Sequence, residues 1–244
     1  MTAAETVVVE APAKLTTRLH VAGVRNDGYH LIDAEMIALD LADRLTITPA
    51  DETSLEVIET ATGLSVPSGP DNLVLRALAA VGRSAEIRLE KRIPSGAGLG
   101  GGSADAAAVL RWAGVDDLDL AAGLGADVAF CVVGGRAHVT GIGERVRPLP
   151  FEPRTVTLLT PPFGVSTPAV YRAWDDLGGP ADPRNDLTAA ALAVAPELAR
   201  WRDHLGATTG LEPVLAGSGG TWFVEGAHAG IELDGVRAVV AQAR

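Results

Sequence analysis

Five of the seven residues from Gly96 to Gly102 are glycine, and this stretch constrains the chain more than any other. Glycine reaches backbone conformations closed to other residues and lets a main chain come close to another group. On its N-terminal side EIRLEKRIP alternates, with Ile87, Leu89 and Ile93 on one face and Glu86, Arg88, Glu90 and Arg92 on the other. That is the pattern of a strand buried on one side only. On its C-terminal side SADAAAVLRWAG predicts a helix, with Ser103 as N-cap, Asp105 in the first turn and Gly114 at the end. Strand, glycine loop and helix in that order set free N–H groups and the positive end of a helix dipole beside an open backbone, which suits a phosphate chain.

Two well-known phosphate loops fit poorly. The stretch formally contains G-x-G-x-x-G, but a dinucleotide-binding strand is buried on both faces and reads as a continuous apolar run, whereas EIRLEKRIP alternates and is charged. A Walker-type loop requires Gly-Lys-Ser/Thr, which does not follow here.

Elsewhere TVVVEAPAKLTTRLHV, DRLTITPA and SLEVIE alternate and predict strands of an antiparallel sheet. Asp71-Asn72 predicts the N-cap of a helix over LVLRALAAVG that ends on Gly82. RAHVTGIGERVRPLP has the proline and charge content of a boundary. From about residue 152 a second group follows: strand VTLLT, helix TPAVYRAWDDL, one helix over LTAAALAVAPELARWRDHL, and strand-like PVLAGSGGTWFVEG. The expectation is a mixed α+β chain in two domains, residues 1–151 and 152–244.

Composition excludes several functions. The 244 residues are 47% hydrophobic, enough for substantial cores, yet no run approaches the roughly 18–20 apolar residues of a membrane span. The N-terminal MTAAETVVVEAPAK lacks a basic leader, so a cytoplasmic protein is expected. A net charge of −11 argues against nucleic-acid or anionic-membrane partners, which require broad basic surfaces. The single cysteine, Cys131 in VAFCVV, permits no internal disulfide and reads as a small buried hydrophobe. Lysine occurs only at positions 14 and 91, so a compact ammonium at Lys14 is of interest in a chain that otherwise uses Arg.

Four ordered segments carry a more specific resemblance. PSGAGLGGGSADAA, from Pro94 to Ala107, resembles the P-x-G-x-G-L-G-(G)-S-S-x-A loop of the GHMP kinase superfamily, and its triple glycine before Ser resembles that family's 4-diphosphocytidyl-2-C-methyl-D-erythritol kinase branch. Ala11-Pro12-Ala13-Lys14-Leu15, with GVRNDGYH close behind, is similar to the branch's first motif. Leu124-Gly125-Ala126-Asp127-Val128 is similar to its L-G-A-D-V-P, and Ala216-Gly217-Ser218-Gly219-Gly220 to its G-S-G-(S/A) third motif.

The resemblance implies a ribosomal-protein-S5-domain-2-like N-terminal domain, a ferredoxin-like C-terminal domain and an active site between them. It implies ATP and Mg2+ as cofactors, a small cytidine diphosphate substrate, and a monomer or weak homodimer. ATP would be held by Pro94, Gly96, Ala97, Gly98, Leu99, Gly100, Gly101, Gly102 and Ser103, with the Ser103 hydroxyl on the metal–phosphate group. Asp127 would take or orient the proton of the substrate hydroxyl and Lys14 would keep Asp127 ionised, which is the help that in-line phosphoryl transfer needs. Tyr29, His30 and Tyr171 would hold the cytosine, with Thr16, Gly217, Ser218 and Gly219 also on the substrate. Asn185-Asp186 resembles a family segment near the cleft and reads equally well as a helix cap. The chain departs from the pattern at Thr16, where the family commonly has Asn, and at Ala129, where it has Pro. Rival readings are a homoserine- or mevalonate-type kinase and a non-catalytic nucleotide-binding relative.

Overall fold

The computed structural model describes residues 5–59 and 66–244; the first four residues of the N-terminal run and the segment 60–65 lie outside them. Two long strands, β1 (Val7–Val24) and β2 (His30–Pro49), form an antiparallel hairpin. β2 is one continuous strand, longer than the DRLTITPA segment that alternation identified. Its other edge is shared by β4 (Ala85–Lys91) along residues 44–49 and β5 (Arg136–Gly141) along residues 32–37. β3 (Ser54–Glu59) pairs parallel to β4, and β6 (Arg145–Leu149) antiparallel to β5. The sheet is therefore antiparallel except where helix α1 (Leu73–Ala80) carries the chain across from β3 to β4. As the sequence predicts, Asn72 caps α1: its side chain accepts the Val74 N–H at 2.8 Å.

Helices α2 (Gly101–Ala113), α3 (Leu118–Leu124) and α4 (Val128–Val133) follow β4. α2 buries every residue from Ala104 to Leu110; its alanines let it lie close against its neighbours. A second sheet is ordered β12-β7-β9-β8, from β7 (Thr155–Leu159), β8 (Val214–Leu215), β9 (Trp222–Glu225) and β12 (Val239–Gln242), with the small hairpin β10 (Glu232–Leu233) and β11 (Val236–Arg237) beside it. Its helices are α5 (Thr167–Asp176), α6 (Thr188–Val194) and α7 (Leu198–Thr209). Here the single helix expected over LTAAALAVAPELARWRDHL divides, because Pro196 cannot donate a backbone hydrogen bond and disfavours helix at Ala195 before it.

The end of the chain returns to the first sheet. Gln242 N–H donates to Asp40 Oδ1 at 2.8 Å, and Arg244 N–H to Ala38 O at 3.0 Å. In the middle, Leu19 N–H donates to Arg184 O at 2.9 Å and Asp186 N–H to Leu19 O at 3.0 Å, while the Asp186 carboxylate accepts Val21 N–H at 2.8 Å.

Two packing features fix the glycine loop. Beneath it, Lys91 donates to Asp43 and, at 2.7 Å, to Asp105. Asp43 also accepts the peptide N–H groups of Arg92 and Ile93, where β4 turns into the loop. All three side chains are buried. Burial pushes the Asp105 carboxyl up to about 7 against the pull of Lys91. Burial opposes the charge on Lys91 too, but the two carboxylates outweigh it and raise its affinity for the proton. Asp105, expected in the first turn of α2, is the fifth residue of that helix and is turned inward, so no acid occupies its first turn. Above the loop, Gly98 meets the Ala216–Gly220 turn: a methyl group at Gly98 would stand 2.6 Å from Ala216 O and 2.8 Å from Gly219 Cα.

Asp43→Ala removes an ion-pair partner and the acceptor for two peptide groups. Breaking a buried pair in this way is expected to cost about 3–5 kcal/mol, read as a lower urea midpoint at unchanged slope; a loss below about 1 kcal/mol would mean that the cluster is dispensable. Gly98→Ala combines that clash with a φ of 78° and is expected to destabilise by about 1–3 kcal/mol. Gly69→Ala, with open space around it, should leave the thermal midpoint nearly unchanged.

Candidate active site

The register of β1 against β2 shifts between Pro12 and Lys14 and again between Thr16 and Arg18. Such bulges interrupt the ladder on either side of residues 14–16, and residues 13–16 are all buried. Between the bulges alternation is kept: Lys14 and Thr16 reach the wall of a cleft while Leu15 joins the core. Lys14 is 5% exposed; its ammonium lies 3.3 Å from Asp127 Oδ2 and donates to Thr16 Oγ1 at 3.2 Å. Asp127 occupies the N-cap position of α4 but makes no capping hydrogen bond. Its carboxylate is 31% exposed and faces the cleft.

The glycine loop lies behind Lys14. Leu99 O accepts the Lys14 N–H at 3.0 Å, and a methyl at Gly100 would stand 2.7 Å from the Lys14 side chain. Gly96, Gly98 and Gly100 have φ of 73°, 78° and 67°, in the left-handed region that favours glycine. Gly100, not Ser103, occupies the N-cap position of α2, and its carbonyl accepts the Ala104 N–H at 2.8 Å. Ser103 is the third residue of the helix, and its hydroxyl points toward Gly125, two residues before Asp127. Pro94, Ala97, Leu99, the loop glycines and Ser103 do not line the cleft; the loop touches its wall through Lys14 and through the Ala216–Gly220 turn.

The third motif closes over this loop. Thr221 N–H donates to Ala97 O at 3.2 Å. Gly217 faces Lys14 and Thr16, and Ser218 Oγ lies 2.8 Å from Thr167 Oγ1. Asn185 does both things that its sequence allows: Oδ1 accepts Leu187 N–H at 3.0 Å as a cap, and Nδ2 donates to Leu215 O at 2.8 Å and Gly217 O at 2.7 Å. It therefore holds the motif in place.

The cleft has a volume of about 670 Å³, and Lys14, Asp127, Tyr29, His30, Tyr171 and Ser218 all line it. The two tyrosines differ. Tyr171 on α5 stacks near His30, with ring centroids 4.7 Å apart; burial, with a smaller contribution from Asp127, pushes its phenol pKa up and keeps it neutral. Tyr29 sits in the hairpin turn, 58% exposed, under the Arg25 guanidinium at 5.4 Å. Cys131 is buried and its thiol is pushed up by desolvation, which makes it a packing residue. Among the described residues no cluster of His, Cys, Asp and Glu is arranged to hold a metal, and no helix is long and apolar enough to cross a membrane. A second cavity, of about 480 Å³ beside Arg184, Arg202 and Trp222, contains none of the predicted site residues. The reading of the sequence missed the Lys91 cluster, Thr167 and Asp175.

Residues 72–135 match the family described as GHMP kinases N terminal domain. The 4-diphosphocytidyl-2-C-methyl-D-erythritol kinase of Paracoccus denitrificans (strain Pd 1222) is 41% identical over 233 residues, covering 87% of this chain and 84% of that protein. A crystal structure of 4-(cytidine 5'-diphospho)-2C-methyl-D-erythritol kinase superposes with a TM-score of 0.75 at 34% identity, covering 97% of this chain and 98% of that one. The homoserine kinase of Cytophaga hutchinsonii ATCC 33406 shares the fold, with a TM-score of 0.59 at 18% identity over 98% of this chain and 94% of its own. Similarity of that extent, together with the glycine loop and the Lys14–Asp127 pair, means that this chain belongs to the GHMP kinase superfamily and, within it, to the 4-diphosphocytidyl-2-C-methyl-D-erythritol kinase family.

Proposed function

We propose that the protein transfers the γ-phosphoryl group of ATP to the 2-hydroxyl of 4-diphosphocytidyl-2-C-methyl-D-erythritol, a step of the non-mevalonate route to isoprenoid precursors. The observation that carries this reading is the Lys14–Asp127 pair, 3.3 Å apart, on a cleft whose wall also carries His30 and Tyr171. The cleft thus offers an acid–base group and a place for a flat base.

In this mechanism the triphosphate lies along the N–H groups of the glycine loop and the start of α2. Asp127 accepts the proton of the 2-hydroxyl as its oxygen attacks the γ-phosphorus; the bond to the β-phosphate oxygen breaks, and ADP leaves. Lys14, 3.3 Å from Asp127, holds that carboxylate in place and steadies the charge that develops on the transferred group. Thr16, in the place of the more usual Asn, accepts a hydrogen bond from Lys14 at 3.2 Å and so orients the ammonium. Ala129 is buried inside α4, so its replacement of Pro does not touch the cleft.

Mg2+ suits a site that has hydroxyl and carboxylate oxygens but no protein cage, because this ion usually arrives with phosphates and keeps few protein ligands. The Ser103 hydroxyl is the protein oxygen we assign to it, and the ion would neutralise phosphate charge. Tyr171 and Tyr29 hold the cytosine by stacking, His30 reads its polar edge, and Gly217, Ser218 and Gly219 close on the acceptor. We take residues 1–151 and 152–244 as the two domains of a cytoplasmic enzyme acting as a monomer or weak homodimer.

ADP release with Mg-ATP should occur with the cytidine substrate and not with homoserine, mevalonate or no acceptor; turnover of another alcohol would overturn the substrate. Asp127→Asn is expected to lower kcat by about 10²–10⁴ with little change in substrate affinity, and near-normal turnover would remove Asp127 from the chemistry.

A further inference from the structure

His30 opens β2, and its ring is held from three sides by one helix, α5. Asp175 Oδ1 lies 2.9 Å from Nε2. The Tyr171 ring lies 4.7 Å away, tilted by 31°, and Trp174 meets the imidazole edge-on at 5.7 Å. The His30 side chain is only 9% exposed, yet both His30 and Asp175 line the cleft. A carboxylate only accepts hydrogen bonds, so the proton of the neutral ring sits on Nε2 and Nδ1 is left with a lone pair.

Comparison with a second pair shows that this contact is not a generic His–Asp contact. Asp186 lies 3.2 Å from His20, but its carboxylate also accepts the N–H groups of Val21 and Asp182, so it holds backbone. Among the described residues, His30 is the one hydrogen-bond partner of the Asp175 carboxylate. Among the described residues Asp175 ties no peptide group in place through its carboxylate; its contact is with the His30 ring.

We propose that Asp175 is a positioning residue for base recognition: by holding His30 in the Nε2-protonated form it presents Nδ1 as an acceptor to an exocyclic amine, so that the cleft takes a cytosine edge and rejects a uracil edge. The inference rests on the cytidine reading above. Cytosine carries an amine, a donor, at the position where uracil carries a carbonyl, an acceptor. An acceptor facing an acceptor leaves two buried groups unpaired, which makes such a site strongly selective.

The test measures binding of cytidine 5'-diphosphate and uridine 5'-diphosphate to the wild-type protein and to Asp175→Asn, with nitrogen NMR of labelled histidine reporting which ring nitrogen of His30 is protonated. The wild type should show Nε2–H and bind the cytidine nucleotide at least about tenfold more tightly. An amide can turn either edge to the ring, so in the variant both tautomers should appear and the preference should narrow by about tenfold. Asp175→Glu should restore most of it. Asp175 is 47% exposed at its side chain, so a change limited to stability would leave the ratio of the two affinities where it was. An unchanged preference in Asp175→Asn, or Nδ1–H in the wild type, overturns the inference and leaves the cytidine reading standing; a wild type that binds neither nucleotide overturns both.

Discussion

Two backbones meet at Gly98 and Gly219 with no room for a side chain between them, and the rest of the site depends on that contact. It brings the Gly217–Ser218 turn, which precedes β9, against the loop that begins α2, so that Lys14 has the first sheet on one side and the second on the other. The Lys91 cluster supports the same loop from below through the peptide groups of Arg92 and Ile93. A loop held on both faces keeps its N–H groups fixed, and fixed dipoles stabilise a charge more effectively than ones that must reorganise. Asn185 extends the arrangement, since one buried amide group ties the Gly217 carbonyl to the segment that pairs with Leu19.

Much of this was legible in the sequence, for identifiable reasons. The glycine loop announced itself because a local run of glycine has few other uses between a strand and a helix. Asn72 was legible as a cap because capping is decided within three residues. Lys14 and Asp127 were legible as a pair only through resemblance, since nothing local to either predicts a 3.3 Å contact across 113 positions (127 − 14). The bulges that flank Lys14 and Thr16 were not legible at all, because bulges are properties of how two strands pair.

The misreadings have the same origin. Ser103 looked like an N-cap because Ser commonly is one, but Gly100 can take the left-handed conformation at no steric cost and begins the helix three residues earlier. Asp105 looked like an acid of the first helical turn, yet with Gly100 as the cap it falls one turn deeper, and alternation along β4 already turned Lys91 to the same face as Ile87 and Leu89. A lysine at a buried register requires a partner, and its partners come from β2 and α2, remote in sequence. Asp175 passed unnoticed because the two acids in the last turn of an amphipathic helix read as solvated surface until the ring beside one of them is placed. Pro196 was the plainest signal that the sequence reading passed over.

The return of the chain end to β2, through Ala38 and Asp40, bears on how the cleft can admit a ligand. Two bodies joined by one strand of chain swing apart like a door. Here the second sheet is sewn to the first along a seam: the connection out of β6, the Leu19–Arg184–Asp186 contacts and the final residues. A seam permits sliding far more readily than gaping. What lies outside the stitching is the exposed Tyr29 turn and the cleft-lining side of α5, which together form a rim of side chains around the opening.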